Sequence, residues 1–271
     1  GLLVQALAQA IPSNFLFLSL FLCLLLTLAM DRISTNTYPG RGVVLGMTSE
    51  GLLVQVYWIM GRSANSRNRV FAAANGEMRT EAADPSQVKD PSLIIYRAVA
   101  ELKSDNCKSF VLTNGDHTDT IMDALAQGDS FENALRTRNH EPDAPNYTPR
   151  ISGIFELKNS SIIGKLSILK KSPLDTTGNV SDRQFFEYDF QSPGLKGNGL
   201  VITTYASDGN PLPSFDGAPF LVPIAGKSGE EIADSFWPSL NEDNKVSLAV
   251  KVIDPSTGES SLTLRNKYSK V

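Results

Sequence analysis

Apolar runs alternate with polar positions along most of the chain, and this pattern predicts a protein rich in β-strands. Gly, Asn and Ser residues separate the runs, as expected for turns. The expected strands are 43–45, 52–58, 109–113, 151–157, 162–169, 200–205, 246–253 and 261–265. Short connections join the first and second, the fourth and fifth, and the last two of these runs, which predicts three antiparallel hairpins.

Four segments carry the periodicity or the end signals of helices, namely residues 91–102, 119–127, 130–138 and 228–236. Thr118 or Asp119 is the expected N-cap of the second segment, and Ser130 that of the third. Strands and helices do not alternate as they do in βαβ folds. The order therefore favours the α+β class, with two packed antiparallel sheets, outer helices and a single domain over residues 31–271.

The first 30 residues differ from the rest, because all 54 charged side chains lie from Asp31 onwards. Residues 15–30 are apolar apart from Ser19 and Thr27, and with their flank they approach the roughly 17–25 residues of a spanning helix. No Lys or Arg precedes this run, although a secretory signal normally has one. We interpret residues 1–29 as an apolar leader that comes from an upstream start assignment, with Met30 as the true start. A signal or a membrane anchor is the alternative.

The charge and the cysteines exclude several classes of protein. The net charge of −4 argues against a nucleic-acid-binding protein, which usually has a basic excess. Cys23 and Cys107 give neither a disulfide framework nor a zinc site. The chain has no Walker loop, GxGxxG, GxSxG or HExxH motif.

A cationic stretch, GRSANSRNR at 61–69, directly follows a predicted strand. Arginine side chains bind phosphate or carboxylate through two parallel hydrogen bonds, and Ser and Asn supply further donors. A solvated loop is the alternative for this stretch taken alone.

The segment TNGDHTDT at 113–120 lies between a predicted strand and a predicted helix. Its Asn-Gly pair is typical of a tight turn with positive φ. The Asp, His, Asp spacing is poor for a metal site, and Asp119 is expected to cap the helix. The residues alone thus predict an α+β protein with an anion-binding site built from arginines.

Several segments occur in an order that resembles the archaeal-type inosine monophosphate (IMP) cyclohydrolase family, in a longer, bacterial-like form. They are TYPGRGVVLG (37–46), MGRSANSRNR (60–69), DPSLIIYR (90–97), NGDHTDTI (114–121), TPRISG (148–153), and ITTYASDG followed by GKSGEEIADSF (202–236). The resemblance implies a four-layer αββα sandwich like that of the N-terminal-nucleophile hydrolases. The cyclohydrolases do not use an N-terminal nucleophile, and Thr37 is the nearest candidate for one here.

The resemblance also implies a reaction, the ring closure of 5-formamidoimidazole-4-carboxamide ribonucleotide to inosine monophosphate and water. It implies no cofactor, a purine-pathway nucleotide as the partner, no nucleic-acid or membrane partner, a cytoplasmic location and a homo-oligomer. Two other functions stay open. One is an amide hydrolase of the same fold, and the other is a nucleotide-binding protein without catalysis.

The resemblance assigns roles to residues at matching positions. It implies catalytic roles for Tyr96 as a hydrogen-bond or proton donor, for Glu141 as a base and for Arg69. Substrate binding is implied for Arg41, Arg62, Asn68, Asn114, His117, Asp119 and Arg150. The three family arginines, 41, 62 and 69, are candidates for the 5′-phosphate and the developing oxyanion. An insertion before Thr148 leaves Asp143 as an alternative to Glu141.

Overall fold

The computed structural model describes residues 30–88, 91, 94–104, 106–158 and 161–270. The predicted leader, residues 1–29, lies outside this part. Two antiparallel sheets and a few helices make up the described chain, which confirms the α+β class. Within the described residues, no helix is long and apolar enough to cross a membrane.

The first sheet has six strands and is antiparallel throughout. In spatial order they are β11 (Phe220–Pro223), β10 (Asn198–Thr203), β1 (Gly42–Met47), β2 (Leu53–Met60), β12 (Lys245–Ile253) and β13 (Ser260–Asn266). The pairs β1–β2 and β12–β13 confirm two of the three predicted hairpins.

The second sheet has seven strands, also antiparallel, in the order of the chain. They are β3 (Val70–Ala74), β4 (Glu77–Glu81), β5 (Arg97–Lys103), β6 (Cys107–Thr113), β7 (Arg150–Lys158), β8 (Ser161–Lys171) and β9 (Ser181–Asp189). The pair β7–β8 confirms the third predicted hairpin.

Four helices have bounds within the described residues: α1 (Ala64–Arg67), α2 (His117–Ala126), α3 (Phe131–Arg136) and α4 (Gly229–Phe236). Ser130 and Ser228 cap α3 and α4, since each hydroxyl accepts a backbone N–H three residues on. The predicted cap of α2 is wrong. That helix begins at His117, after Asp116, and Asp119 lies inside its first turn.

The two sheets divide the hydrophobic core into three clusters, one between the sheets and one on the outer face of each sheet. Val43 and Leu45 of β1 point between the sheets, whereas Val44 points to the other face, against α4 and its neighbours. Residues of α2 and α3 form a third cluster on the outer face of the seven-stranded sheet. Strands covered on both faces are apolar at nearly every position, and each fully buried aliphatic side chain contributes about 1.5–3 kcal/mol.

The predicted helix over residues 91–102 is wrong, because residues 97–103 form strand β5. Val99 packs between the sheets, and its neighbour Ala100 packs under α2 and α3 on the other face. A strand buried on both faces lacks a polar alternation, and its apolar residues then imitate helical spacing. The pattern also missed β3, β4, β9 and β11, whose residues are largely half-buried.

Candidate active site

A cavity of about 320 Å³ lies where segments from both sheets meet. Its charged and phenolic lining residues are Tyr38, Arg41, Arg62, Arg69, Glu141, Asp143 and Tyr205. Arg41 directly precedes β1, Arg62 and Arg69 flank α1, and the two acidic residues lie on the loop between α3 and β7. The fold thus brings together side chains from four separate parts of the sequence.

Arg69 and Arg41 place two neighbouring positive charges at this cavity. Arg69 is only 1% exposed, and burial together with the charge of Arg41 lowers its pKa. Burial acts to lower the pKa of Arg41 as well, but Glu141 and the nearby tyrosines raise it above its ordinary value. Two like charges held together in a partly desolvated place create a strong attraction for an anion.

Each of the two guanidinium groups has a buried nitrogen with no acceptor among the described residues. Arg69 donates from Nε to the Ser66 carbonyl (2.9 Å) and from Nη2 to the Met60 carbonyl (3.3 Å). Its Nη1 and the Nε of Arg41 are buried and find no acceptor among the residues that the structure describes. A buried donor without an acceptor is costly, so an anionic group that enters the cavity would gain these bonds.

Glu141 and Asp143 line the same cavity but differ in their hydrogen-bond partners. Glu141 is 3% exposed, and burial raises its pKa, although Arg41 and Arg150 act against this rise. Asp143 instead accepts hydrogen bonds from both the backbone N–H (2.6 Å) and the hydroxyl of Thr148. The Asp143 carboxylate is therefore committed to the loop, whereas the Glu141 carboxylate accepts no hydrogen bond from the described residues.

Tyr96 hydrogen-bonds to a second tyrosine behind the arginines. The Tyr57 and Tyr96 hydroxyls lie 2.7 Å apart, and burial raises the pKa of Tyr57 well above its ordinary value. Both phenols are within electrostatic range of Arg41 and Arg69. Tyr96 does not line the 320 Å³ cavity; it lines a neighbouring cavity of about 690 Å³. It precedes β5 rather than lying on the predicted helix.

Arg62 lies at the outer part of the cavity and its side chain is 38% exposed. It pairs with Asp208, donates to the Gly209 carbonyl (2.9 Å) and stacks over the Tyr38 ring at 4.9 Å. Tyr38 in turn stacks on Tyr205, with ring centroids 6.0 Å apart.

Arg150 connects the cavity to the segment after β6. Its Nη1 donates to Asp116 (2.6 Å), and its Nε donates to the Asn139 carbonyl (2.9 Å). The same Nη1 lies 3.9 Å from Glu141 Oε1. A Cβ on Gly115 would lie 2.8 Å from Arg150 Nη1 and 3.3 Å from Glu141 Oε1. The Asn-Gly pair therefore permits this close approach. The expected positive φ is wrong, since neither residue has one.

Asn114 and His117 are fully buried and do not line the cavity. The Asn114 side chain accepts from the Ile151 N–H (2.8 Å) and donates to the Pro149 carbonyl (2.9 Å), which joins β6 to β7. His117 Nε2 bonds to Ser152 Oγ (3.0 Å), and burial followed by the Arg150 charge lowers its pKa to about 3. The His117 ring is neutral at ordinary pH, and it supports the Arg150 side.

Asn68 and Asp119 are not brought to this cavity. The Asn68 side-chain amide makes two hydrogen bonds to the backbone of Asp84, at 2.8 and 2.7 Å. Asp119 pairs with Arg97 (2.7 Å) in the wall of the neighbouring cavity. Both side chains have structural partners where the structure places them.

Three tyrosines received no role from the sequence: Tyr38 and Tyr205, which line the cavity, and Tyr57, whose phenol is within electrostatic range of Arg41. In the sequence, Tyr57 is one apolar position of a predicted strand. Tyr38 and Tyr205 lie within the family motifs, but as uncharged residues they gave no sign of a functional role. No group of three or more potential metal ligands occurs in the described part of the chain.

A family model described as "IMP cyclohydrolase-like protein" matches residues 38–259. The chain belongs to this family. The match continues past residue 236, where the motifs end, and it includes β12. Every residue discussed above for the cavity lies within it.

Proteins named IMP cyclohydrolase are among the relatives. One from Methanosphaera stadtmanae is 30% identical over 132 residues, which cover 47% of this chain and 62% of the relative. One from Methanococcus maripaludis is 38% identical over 126 residues, which cover 44% of this chain and 58% of the relative. A second protein from that species is 35% identical over 135 residues, which cover 47% of this chain and 62% of the relative. The chain thus spans about six-tenths of the length of these relatives.

Proposed function

We propose that this chain catalyses the IMP cyclohydrolase reaction, the closure of 5-formamidoimidazole-4-carboxamide ribonucleotide to inosine monophosphate and water. The carboxamide nitrogen must attack the formyl carbon, although its lone pair is delocalised. The site must therefore hold the two groups together, stabilise negative charge on the formyl oxygen and move two protons. The unsatisfied donors of Arg41 and Arg69, beside a buried carboxylate, are the observation that carries the proposal.

Arg41 and Arg69 stabilise the oxygen of the formyl group as the new C–N bond forms. Their free N–H groups are preorganised and partly shielded from water, where a donor to a developing oxyanion is most effective. Arg62 binds the 5′-phosphate at the outer part of the cavity. Its half-exposed ion pair with Asp208 is worth at most about 1 kcal/mol, so a phosphate dianion can replace that partner.

Glu141 is the base that removes a proton from the attacking carboxamide nitrogen. A carboxylate whose pKa is raised by burial is a stronger base than an exposed one and titrates nearer neutral pH. The second proton comes from the formamido nitrogen. The C–O bond then breaks, and the oxygen leaves as water with these two protons. Asp143 is the weaker candidate because its oxygens are occupied by Thr148.

Tyr96 donates a hydrogen bond to the formyl oxygen and keeps its own proton. In that arrangement its own oxygen accepts the hydrogen bond of Tyr57, which has no other hydrogen-bond partner among the described side chains. The two phenols then form a directed pair behind the arginines.

The four-layer αββα sandwich of the N-terminal-nucleophile hydrolases remains our proposal for the finer fold. The separate core clusters between the sheets and on the outer face of each sheet support it. Thr37 lines a different cavity, of about 500 Å³, and not the one with the arginines. This placement argues against an amide hydrolase that uses Thr37. A cytoplasmic location and a homo-oligomer stay predictions.

Incubation of the full chain with the formamido ribonucleotide, followed by purine absorbance, tests the function. We expect a rate far above the uncatalysed closure. Arg62→Ala should mainly raise the Michaelis constant, because phosphate binding is shared by ground and transition states. Tight binding of inosine monophosphate without turnover would identify a nucleotide-binding protein instead, and release of ammonia from an amide would identify a hydrolase.

A further inference from the structure

Tyr205 ends a chain of short hydrogen bonds whose direction is determined by its first member. Asp143, as a carboxylate, can only accept. The Thr148 hydroxyl donates its single proton to Asp143, and it lies 2.6 Å from the Tyr205 hydroxyl. Because Thr148 has no second proton, Tyr205 must be the donor in that bond.

The Tyr205 oxygen is consequently left as an acceptor at the cavity. Its hydroxyl proton is used by Thr148, and the structure describes no other hydrogen bond to this oxygen. Tyr205 lines the cavity, and its ring is held by the stack on Tyr38. The backbone N–H of Tyr205 donates to the Pro39 carbonyl (3.1 Å), which also fixes its position. A rigid acceptor favours a ligand group that carries a proton.

We propose that Tyr205 is a specificity-determining residue that accepts a hydrogen bond from a ribose hydroxyl of the nucleotide and so selects ribonucleotides over deoxyribonucleotides. This inference rests on the proposed function. It follows from the position of Tyr205 next to the phosphate site. The Tyr38 ring contacts both the Arg62 guanidinium (4.9 Å) and the Tyr205 ring (6.0 Å between centroids). With the phosphate on Arg62, the sugar is the part of the nucleotide nearest to Tyr205.

The test is a double-mutant cycle between the protein and the ligand. The full-length wild type and Tyr205→Phe are titrated with inosine monophosphate and with its 2′-deoxy and 3′-deoxy forms. We expect removal of one of the two hydroxyls to weaken binding to the wild type about tenfold, as for a neutral hydrogen bond in a buried site. In Tyr205→Phe the same removal should change binding less than twofold.

Two further variants separate this role from a structural one. Thr148→Ser keeps the hydroxyl and the direction of the chain, so it should retain the discrimination. Tyr188→Phe removes a phenolic hydroxyl from β9, away from the cavity, and should behave as the wild type. If Tyr205→Phe only loosened the packing, it would weaken the binding of all three ligands equally. The discrimination between them would then persist, and this result would contradict the role of Tyr205.

The outcomes also separate this inference from the proposed function. Equal binding of all three ligands by a wild type that turns over the formamido ribonucleotide would overturn the role of Tyr205 and leave the reaction standing. Discrimination that disappears in Tyr205→Phe without any turnover would support Tyr205 and contradict the reaction. No binding of any nucleotide would overturn both.

Discussion

The Arg150 Nη1 atom lies 3.9 Å from the Glu141 Oε1 atom, too far for a hydrogen bond but close enough for the charges to interact. Arg150 donates hydrogen bonds to Asp116, to the Asn139 carbonyl and, from Nη1, to His117 Nδ1 (3.3 Å). The Arg150 charge thus acts on the Glu141 carboxylate, but Arg150 does not hydrogen-bond to it. Burial still dominates and raises the pKa of Glu141.

We expect the ring-closure rate to fall with decreasing pH as Glu141 is protonated. A base must be deprotonated to act, and the pKa of Glu141 is raised, so this acid limb should lie at higher pH than for an ordinary Glu. Glu141→Gln should lower the rate about 10²-fold or more and remove the limb. Glu187→Gln, an exposed carboxylate on β9, is the control. An unchanged pH profile in Glu141→Gln would assign the limb to another group.

Gly115→Ala should disturb the site while the fold persists. The new Cβ would lie 2.8 Å from Arg150 Nη1 and 3.3 Å from Glu141 Oε1, so the Arg150 side chain must shift and its distance from Glu141 must change. Overpacking of this kind typically costs about 1–3 kcal/mol. We expect a loss of activity larger than the change in thermal stability suggests. Gly194→Ala, where a Cβ meets no atom within 4 Å, should leave both unchanged. Full activity in Gly115→Ala would show that the close approach is dispensable.

Stability should decrease in acid because of His117. Its pKa is about 3 in the folded protein, against about 6.5 in the unfolded chain. Between these values the unfolded chain binds the extra proton. The free energy of unfolding therefore falls as the pH drops below about 6.5, by up to about 1.4 kcal/mol per pH unit.

His117→Gln should flatten this dependence in urea unfolding measured at several pH values. Burial also lowers the pKa of His140, so His140→Gln is the comparison that assigns the slope. An equally steep loss of stability in His117→Gln would mean that His117 titrates normally in the folded state.

Much of the fold followed from local pattern, because hairpins bring together strands that are neighbours in the sequence. The strand over residues 97–103 could not be predicted in this way, because burial on both faces removes the two-residue alternation of apolar and polar positions. The site was harder still. Arg41 and Glu141 meet only through the packing of distant segments, and Tyr57 is indistinguishable in sequence from a core residue. Family motifs pointed to the arginines, but only the contacts separated Glu141 from Asp143.

Tyr57→Phe tests the pair of phenols. Its hydroxyl bonds to Tyr96 alone among the described residues, so the variant should fold normally. If Tyr57 directs the Tyr96 proton toward the substrate, the turnover rate should fall about tenfold, the value of one neutral hydrogen bond, with little change in the Michaelis constant. Tyr188→Phe again serves as the control. A rise in the Michaelis constant alone would place Tyr57 in binding rather than in the chemical step.

The most direct test of the central claim is the ring-closure rate at saturating substrate for the wild type and Arg69→Met, which keeps an unbranched side chain without the charge. The account predicts catalysis by the wild type and a loss of about 10²-fold or more in the variant, because a donor to the developing oxyanion is removed. Equal rates for the two proteins, or no catalysis by the folded wild type, would contradict it.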